Sequence, residues 1–380
     1  MSRPSNVKLP LALLGGLSPQ QFMRQYWQKK PLLIRQALPD FEPLVSENEL
    51  WSFAASDEVE SRVIQKTAQG WQFSHGPVQK AQSQSKKDWT LLVQGMDVHE
   101  PAVHLLMQQF RFVPDARLDD VMISLAGQGG GVGPHFDSYD VFLLQAAGRR
   151  RWQISKQKDL ALVDGAPLKI LQNFKPTQEF VLEPGDMLYL PPRYAHDGVA
   201  LDAGCQTYSI GFRAPRAGEL ARELLHRIAE EIADGMEDDP QLSKLYSDAT
   251  QQATAQPGLL PPELTAFATQ AVSKALADQT LIEQLIGEYL TDPKPNMYFE
   301  ENRLSKRFSK VVLHPATRMN YDAKHLFING QSFRCAGKDA KLLRKLADER
   351  TLSATDLKAG SAALVSAIGE FAKEGWLYGE

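Results

Sequence analysis

Two cysteines in 380 residues, Cys205 and Cys335, stand far apart and share no CxxC spacing. That scarcity excludes a disulfide framework and a thiolate zinc site, and it suits a reducing, cytoplasmic setting. No run of about eighteen apolar residues occurs, so no helical membrane span is expected. The short apolar patch at residues 9–14 is interrupted by Pro10 and followed by Gly15-Gly16. No small-residue cleavage site follows it, so a secretory leader is not expected. Internal repeats and low-complexity tracts are also missing. Net charge is only −4, but it is unevenly spread. Residues 301–380 carry an excess of about five positive charges and the rest an excess of about nine negative ones. An acidic body suits a basic partner, whereas so mild an excess in the tail gives little reason to expect nucleic acid as a partner.

What is present reads as two or three units. Ser18-Pro19 is a cap followed by proline at the first helical position, and Phe22, Tyr26 and Trp27 recur at helical spacing. Residues 46–57 and 98–110 read as further helices, with short strands at 71–73 and 89–93. From Asp120 to Arg213 the chain turns into short β-rich runs bounded by Gly, Pro and Asp: VMISLA, DVFLLQ, RRWQIS, EFVLE, DMLYLP, GVAL and QTYSIGF. Several strands in one block without intervening helices point to a sandwich or barrel. An amphipathic helix up to Gly235 and two more over 261–291 follow, then a linker at 292–296. The last stretch alternates a hairpin turned at Asn329-Gly330 with helices, the order of a winged helix. The class is therefore α+β, with a catalytic domain at 1–215, a helical region at 216–295 and a winged-helix-like module at 296–380.

The chemistry concentrates in GGGVGPHFDSYDVF. His135 and Asp137, two apart on an expected strand, project to one face. His196 follows the Pro184-Gly185-Asp186 turn and a strand, and supplies a second imidazole. Two histidines and one carboxylate occupy three positions of an octahedron and leave three open, the arrangement for non-haem Fe(II) and dioxygen. Zinc sites prefer tetrahedral sets. The other histidines, at 75, 99, 104, 226, 314 and 325, read as structural. The Gly-rich approach reads as backbone that must come close to the site rather than a phosphate cradle, since no helix start follows it. In GRRRW, parity places Arg150 with Trp152 and Ile154 on the inward face. A buried guanidinium costs several kcal/mol unless paired. An acid co-substrate would pair it bidentately; an internal salt bridge, or a register that exposes all three arginines, is the alternative.

Together GGGVGPHFDSYDVF, GRRRW, EPGDMLYLPPRYAHDG, YSIGFRAP and the early run ending KKPLLIR resemble the JmjC-type Fe(II)/2-oxoglutarate oxygenases of the cupin superfamily. Within them they are most similar to the bacterial ribosomal-protein arginine hydroxylases. The resemblance spans essentially the whole chain. It implies a double-stranded β-helix barrel with His135, Asp137 and His196 as iron ligands. It implies Arg150 on the distal carboxylate of 2-oxoglutarate, dioxygen as second co-substrate, a large-subunit ribosomal protein as target, and a homodimer. It also carries a target-arginine pocket onto Asp120, Tyr139 and Ser209. Independent support comes from Tyr139 sharing the parity of His135 and Asp137, and from Asp120 sharing that of Ser124 and Ala126. Ser209 lies opposite the apolar Tyr208, Ile210 and Phe212. Ala126 departs from the pattern, since a more polar residue is expected there.

The sequence admits two other readings. The same chemistry on another target would make a histidyl hydroxylase or a lysine demethylase, although an acidic pocket favours arginine over neutral imidazole, and an aromatic cage is not evident. A cupin-type ligand sensor joined to a DNA-binding winged helix would make a transcription regulator.

Overall fold

Ser18 and Ser46 each begin a helix for the same local reason. The hydroxyl of each accepts from the backbone N–H three residues on, and the side chain of that residue, Gln21 or Glu49, accepts from the cap's own N–H. These caps start α1 (Pro19–Gln25) and α2 (Glu47–Ala54) in the computed structural model, which describes residues 6–79, 87–295, 297–304 and 308–380. Packing divides the chain into two units, Met1–Ala214 and Pro215–Glu380.

In the first unit β1 (Leu32–Ile34), β2 (Ser61–Thr67), β3 (Gly70–His75) and β4 (Trp89–Val93) precede α3 (Met96–His99) and α4 (Pro101–Gln108). The single helix expected over 98–110 is divided at Pro101. Proline has no N–H to continue α3, yet its fixed φ suits the first position of α4, where Glu100 caps Ala102. The strand block follows as β5 (Leu118–Ala126), β6 (Asp140–Ala147), β7 (Arg150–Ser155), β8 (Gln178–Leu182), β9 (Met187–Leu190), β10 (Ala195–Ala200) and β11 (Cys205–Phe212). They form an eight-stranded sheet, β1-β9-β6-β11-β5-β4-β2-β3, and a three-stranded one, β10-β7-β8, with antiparallel pairing throughout. This is the double-stranded β-helix that the family resemblance implied, where strand spacing alone gave a sandwich or barrel.

Period-two alternation sorts the large sheet into two faces. Val121, Ile123 and Leu125, Phe142 and Leu144, and Tyr208, Ile210 and Phe212 pack with Phe22, Trp27, Leu50 and Phe110 of the covering segments. Each such fully buried side chain contributes about 1.5–3 kcal/mol. The opposite parity faces the barrel interior. There Val141 and Leu143 meet Trp152, Ile154, Leu182, Leu188 and Leu190. The Pro-Gly-Asp turn is a staple between β9 and β1. Asp186, 3% exposed, accepts from Gln36 N–H at 3.0 Å and from Arg35 at 2.5 Å. Gly185 sits at φ 88, where a Cβ would lie 2.5 Å from the Leu38 carbonyl oxygen.

The second unit holds α5 (Ala217–Gly235), α6 (Pro262–Leu276) and α7 (Gln279–Thr291). It continues with β12 (Lys310–Leu313), β13 (Met319–Tyr321), β14 (His325–Ile328), β15 (Gln331–Arg334), α8 (Gly337–Glu349), β16 (Thr351–Ser353), α9 (Ala354–Ala359), α10 (Ala362–Lys373) and β17 (Leu377–Gly379). Asn296, where the linker was expected to end, lies outside the described residues. The β14–β15 hairpin turns at Asn329 and Gly330, both at positive φ, as a two-residue turn of this twist requires. α7 packs on that hairpin, and Gly287 is what lets it in, since a Cβ there would meet the Phe327 ring at 2.3 Å. Leu343, Leu346, Leu352, Leu364, Ile368 and Trp376 form the core of the winged-helix part.

Candidate active site

The Gly-rich segment is built for close approach. Gly129 N–H donates to the Ala200 carbonyl and Ala200 N–H to that of Gly130, both at 2.8 Å. A Cβ on Gly130 would fall 2.1 Å from the Trp89 oxygen, and one on Gly131 2.5 Å from the Gly198 oxygen. The strand expected to carry His135 and Asp137 is not there: β6 begins only at Asp140. His135 instead makes a lone bridge with His196, each N–H donating to the other's carbonyl at 2.9 and 2.8 Å. Asp137 is held from behind by Arg193 N–H, which donates to its carbonyl at 2.7 Å. Strand parity is therefore not what aligns the two side chains; a backbone bridge and a turn do it.

The result is a tight constellation. The imidazole centroids are 4.2 Å apart, and His196 Nε2 lies 3.6 Å from Asp137 Oδ2. One ligand atom from each of His135, Asp137 and His196 falls within 4.8 Å of the others, and no other such trio occurs among the described residues. His135 Nδ1 lies 2.8 Å from the Gly133 carbonyl and His196 Nδ1 2.8 Å from that of Tyr194. A carbonyl only accepts, so each Nδ1 carries the proton and each Nε2 keeps its lone pair for a metal. The donor set thus fits a divalent ion with open positions.

Burial, reinforced by neighbouring His135 and opposed by Asp137, lowers the His196 pKa to about 4. The metal-free protein should bind fewer protons here than its unfolded chain does between the ordinary value of 6.5 and about 4. Stability present above pH 6.5 is then lost as pH falls through that window, by on the order of 3 kcal/mol. Thermal melts of metal-free wild type and His196→Gln across this range check it; parallel profiles would remove His196 as the source.

These three residues open onto a cavity of about 300 Å3 inside the barrel. Arg150 lies on its wall as parity required, 4% exposed, with Nε unbonded and one amino group 3.5 Å from Ser124 Oγ. No ion-pair partner for it occurs among the described residues. Thr90 was not foreseen. It is 0% exposed, its hydroxyl has no partner among the described residues, and it lines the same cavity. Thr90 stands opposite Ala126 in the β4–β5 register, so the polar group expected at 126 arrives from the neighbouring strand. The one signal in the sequence is a lone threonine inside the buried run WTLLV.

Of the three target-pocket candidates, Tyr139 and Ser209 line the cavity. Tyr139 is 38% exposed, which puts it at the mouth. Burial, then the Asp137 and Asp120 carboxylates, push its phenol far above the usual range against the opposing charge of Arg62. Ser209 faces inward between Met122 and Leu143. Asp120 is buried just beyond the lining, with Oδ2 accepting from Gln94 Nε2 at 2.8 Å and Gly95 N–H at 3.1 Å.

A JmjC domain model matches residues 105–220 and a ROXA-like winged helix model residues 274–378. An AraC-like ligand binding domain model matches 177–286, but that stretch crosses the boundary between the two compact units and corresponds to neither. The ribosomal protein uL16 3-hydroxylase of Escherichia coli K12 is 34% identical over 278 residues, 72% of this chain and 71% of that protein. A probable ribosomal oxygenase of Haemophilus influenzae is 37% identical over 210 residues, 54% of this chain and 52% of its own length. The crystal structure of E. coli YcfD superimposes with a TM-score of 0.82 at 27% identity, covering 95% of this chain and 98% of that one. YcfD in complex with cobalt and 2-oxoglutarate gives 0.80 at 28% identity, covering 96% and 98%. With its barrel, its triad and a relative matched over most of both lengths, the chain belongs to the JmjC-domain ribosomal oxygenases, the family of the uL16 3-hydroxylase.

Proposed function

We propose that this protein is a 2-oxoglutarate-dependent oxygenase that hydroxylates an arginine side chain of a large-subunit ribosomal protein. The observation that carries the reading is one cavity holding a three-ligand cluster and a buried, acid-free arginine. His135 Nε2, an Asp137 oxygen and His196 Nε2 hold the metal, with both imidazoles locked by their Nδ1 bonds. Arg150 receives the distal carboxylate of 2-oxoglutarate, helped by the hydroxyls of Thr90 and Ser124 on the same wall. Fe(II) bound there, with 2-oxoglutarate and dioxygen, supplies the oxidising chemistry and yields succinate, carbon dioxide and a hydroxylated carbon.

The rest of the work is placement. Met122, Val141, Leu143 and Trp152 give the cavity apolar walls that exclude water. Tyr139 and Ser209 border the route by which a side chain enters, and Asp120 puts a negative charge behind it, sensed at the Tyr139 phenol. A cationic guanidinium suits that mouth better than a neutral imidazole, which favours arginine over histidine as target. The naming of a relative as a uL16 3-hydroxylase supports the same target class. Incubation with Fe(II), 2-oxoglutarate and a uL16 fragment should add one oxygen to an arginine by mass spectrometry. Oxygen found only on a histidine would overturn the arginine assignment.

Asp120→Ala should raise the KM for the target about 10-fold, the loss of a charge attraction acting through the cavity wall. Target-independent turnover of 2-oxoglutarate should change little. Equal loss of both activities would move Asp120 from target binding to barrel structure. The helical region is proposed to pair two copies. α6 has no buried residue, and Leu264, Val272 and Leu276 on it are exposed. Light scattering should therefore give the mass of a dimer, and a monomer would remove that role from α6.

A further inference from the structure

We propose that a basic groove beside the active-site mouth binds the phosphates of single-stranded RNA carried with the target protein. This rests on the reading of the substrate as a ribosomal protein. The groove encloses about 530 Å3 within the first unit, between Gln28-Lys29, residues 156–160 and the turn at 191–194 that joins β9 to β10. Lys29, Lys156, Lys158 and Arg193 line it, all four are exposed, and no carboxylate does. Two acids tied to its lining, one between Lys158 and Leu160 and one bonded to Gln28, are engaged elsewhere. Asp159 accepts from Ala161 N–H at 3.0 Å and from Asn173 at 3.1 Å. Asp140 is fully buried and takes Gln28 Nε2 at 3.0 Å and the Tyr189 hydroxyl at 2.6 Å. Lys29 donates to the Met23 carbonyl at 3.0 Å, a neutral partner that leaves its charge uncompensated.

Four like charges converging on one concavity repel one another unless an anion joins them, and they do so in a chain whose net charge is −4. The groove is physically joined to the site. Arg193 sits at φ 63, its guanidinium lies 5.8 Å from the Phe136 centroid, and its N–H is the one that holds Asp137. Half-buried Tyr194 adds an aromatic face, and its carbonyl orients His196. An occupant of the groove therefore lies next to a mouth suited to a cation. A basic protein segment alone satisfies the mouth and is repelled by the groove. The same segment bound to RNA presents a guanidinium to one and phosphates to the other.

Fluorescence anisotropy with a labelled single-stranded RNA of ten nucleotides tests this on the full-length, metal-loaded protein. A Kd of roughly 1–100 μM is expected at low salt, with a log–log salt slope of about −2 to −3 for three or four neutralised phosphates. The triple variant Lys29→Glu, Lys156→Glu, Lys158→Glu should bind at least tenfold more weakly and lose about two from the slope. All three lysines are exposed, so its melting temperature should match wild type. The variant should hydroxylate a free basic target peptide at least as fast as wild type, because the repulsion is gone, but the target protein–RNA complex more slowly. RNA affinity unmoved by the triple reversal overturns the proposal. So does an acidic peptide that binds more tightly than RNA, which would make the groove a protein-docking site. Failure of wild type to hydroxylate the free peptide would strike the enzymatic reading alone, because the RNA measurement does not depend on turnover.

Discussion

Asp137→Ala is expected to abolish hydroxylation, with metal affinity falling by more than about 100-fold. The estimate is a lower bound, because loss of an outer partner of a ligand already costs about 10- to 100-fold, and Asp137 is placed in the cluster itself. It is the one anionic member, so its removal leaves two neutral imidazoles to hold a divalent ion. The change should do little harm to the fold. Asp137 belongs to no strand, and the bond that positions its backbone, from Arg193 N–H to its carbonyl, is kept by alanine. Calorimetric titration with Fe(II) or cobalt, beside a melting curve, separates the two effects. Wild-type turnover in the variant would remove Asp137 from the metal set. A chelator should silence the wild-type enzyme reversibly, with activity returning on addition of Fe(II).

The second large effect concerns Arg150, where affinity and stability should move in opposite directions. Methionine keeps the length of the side chain and removes a buried guanidinium that has no acid partner among the described residues. Replacing an uncompensated buried charge by hydrocarbon is neutral or stabilising, so the melting temperature should hold or rise. Affinity for 2-oxoglutarate should fall about 30- to 1,000-fold, the 2–4 kcal/mol lost when one partner of a buried charge pair is cut away. The internal salt bridge left open by the sequence makes the contrary forecast: a lower melting temperature and unchanged co-substrate affinity. Asp197 feels Arg150, but behind His135, Lys66 and Arg151 in strength, and it lies on the other face of β10, opposite Gln153. A melt and a 2-oxoglutarate titration on one variant decide between them.

Much of the barrel was legible because strand alternation and turn chemistry are local. Phe142 and Leu144 part from Val141 and Leu143 by the geometry of the pleat alone. Ser18-Pro19 and Asn329-Gly330 announce a helix and a hairpin through bonds made within a few residues. β2 was missed, because in SRVIQKT the inward Arg62 and the half-polar remainder break the alternation that would reveal a strand. The identities of the metal-ligand candidates were readable, but the reason they face one another was not, since it lies in a bridge between His135 and His196.

The sequence by itself determined which residue types carry the chemistry and the inward parity of Arg150, because side-chain direction along a strand follows from covalent geometry. Only the tertiary structure decided that Thr90 stands in for the polar group missing at Ala126, that Asp120 sits behind the cavity wall while Tyr139 stands at its mouth, and that four cations from three separate segments share one groove. Each of these depends on which strands and turns become neighbours. That choice is made by burying apolar surface between segments distant in the chain, and no window of local sequence contains it.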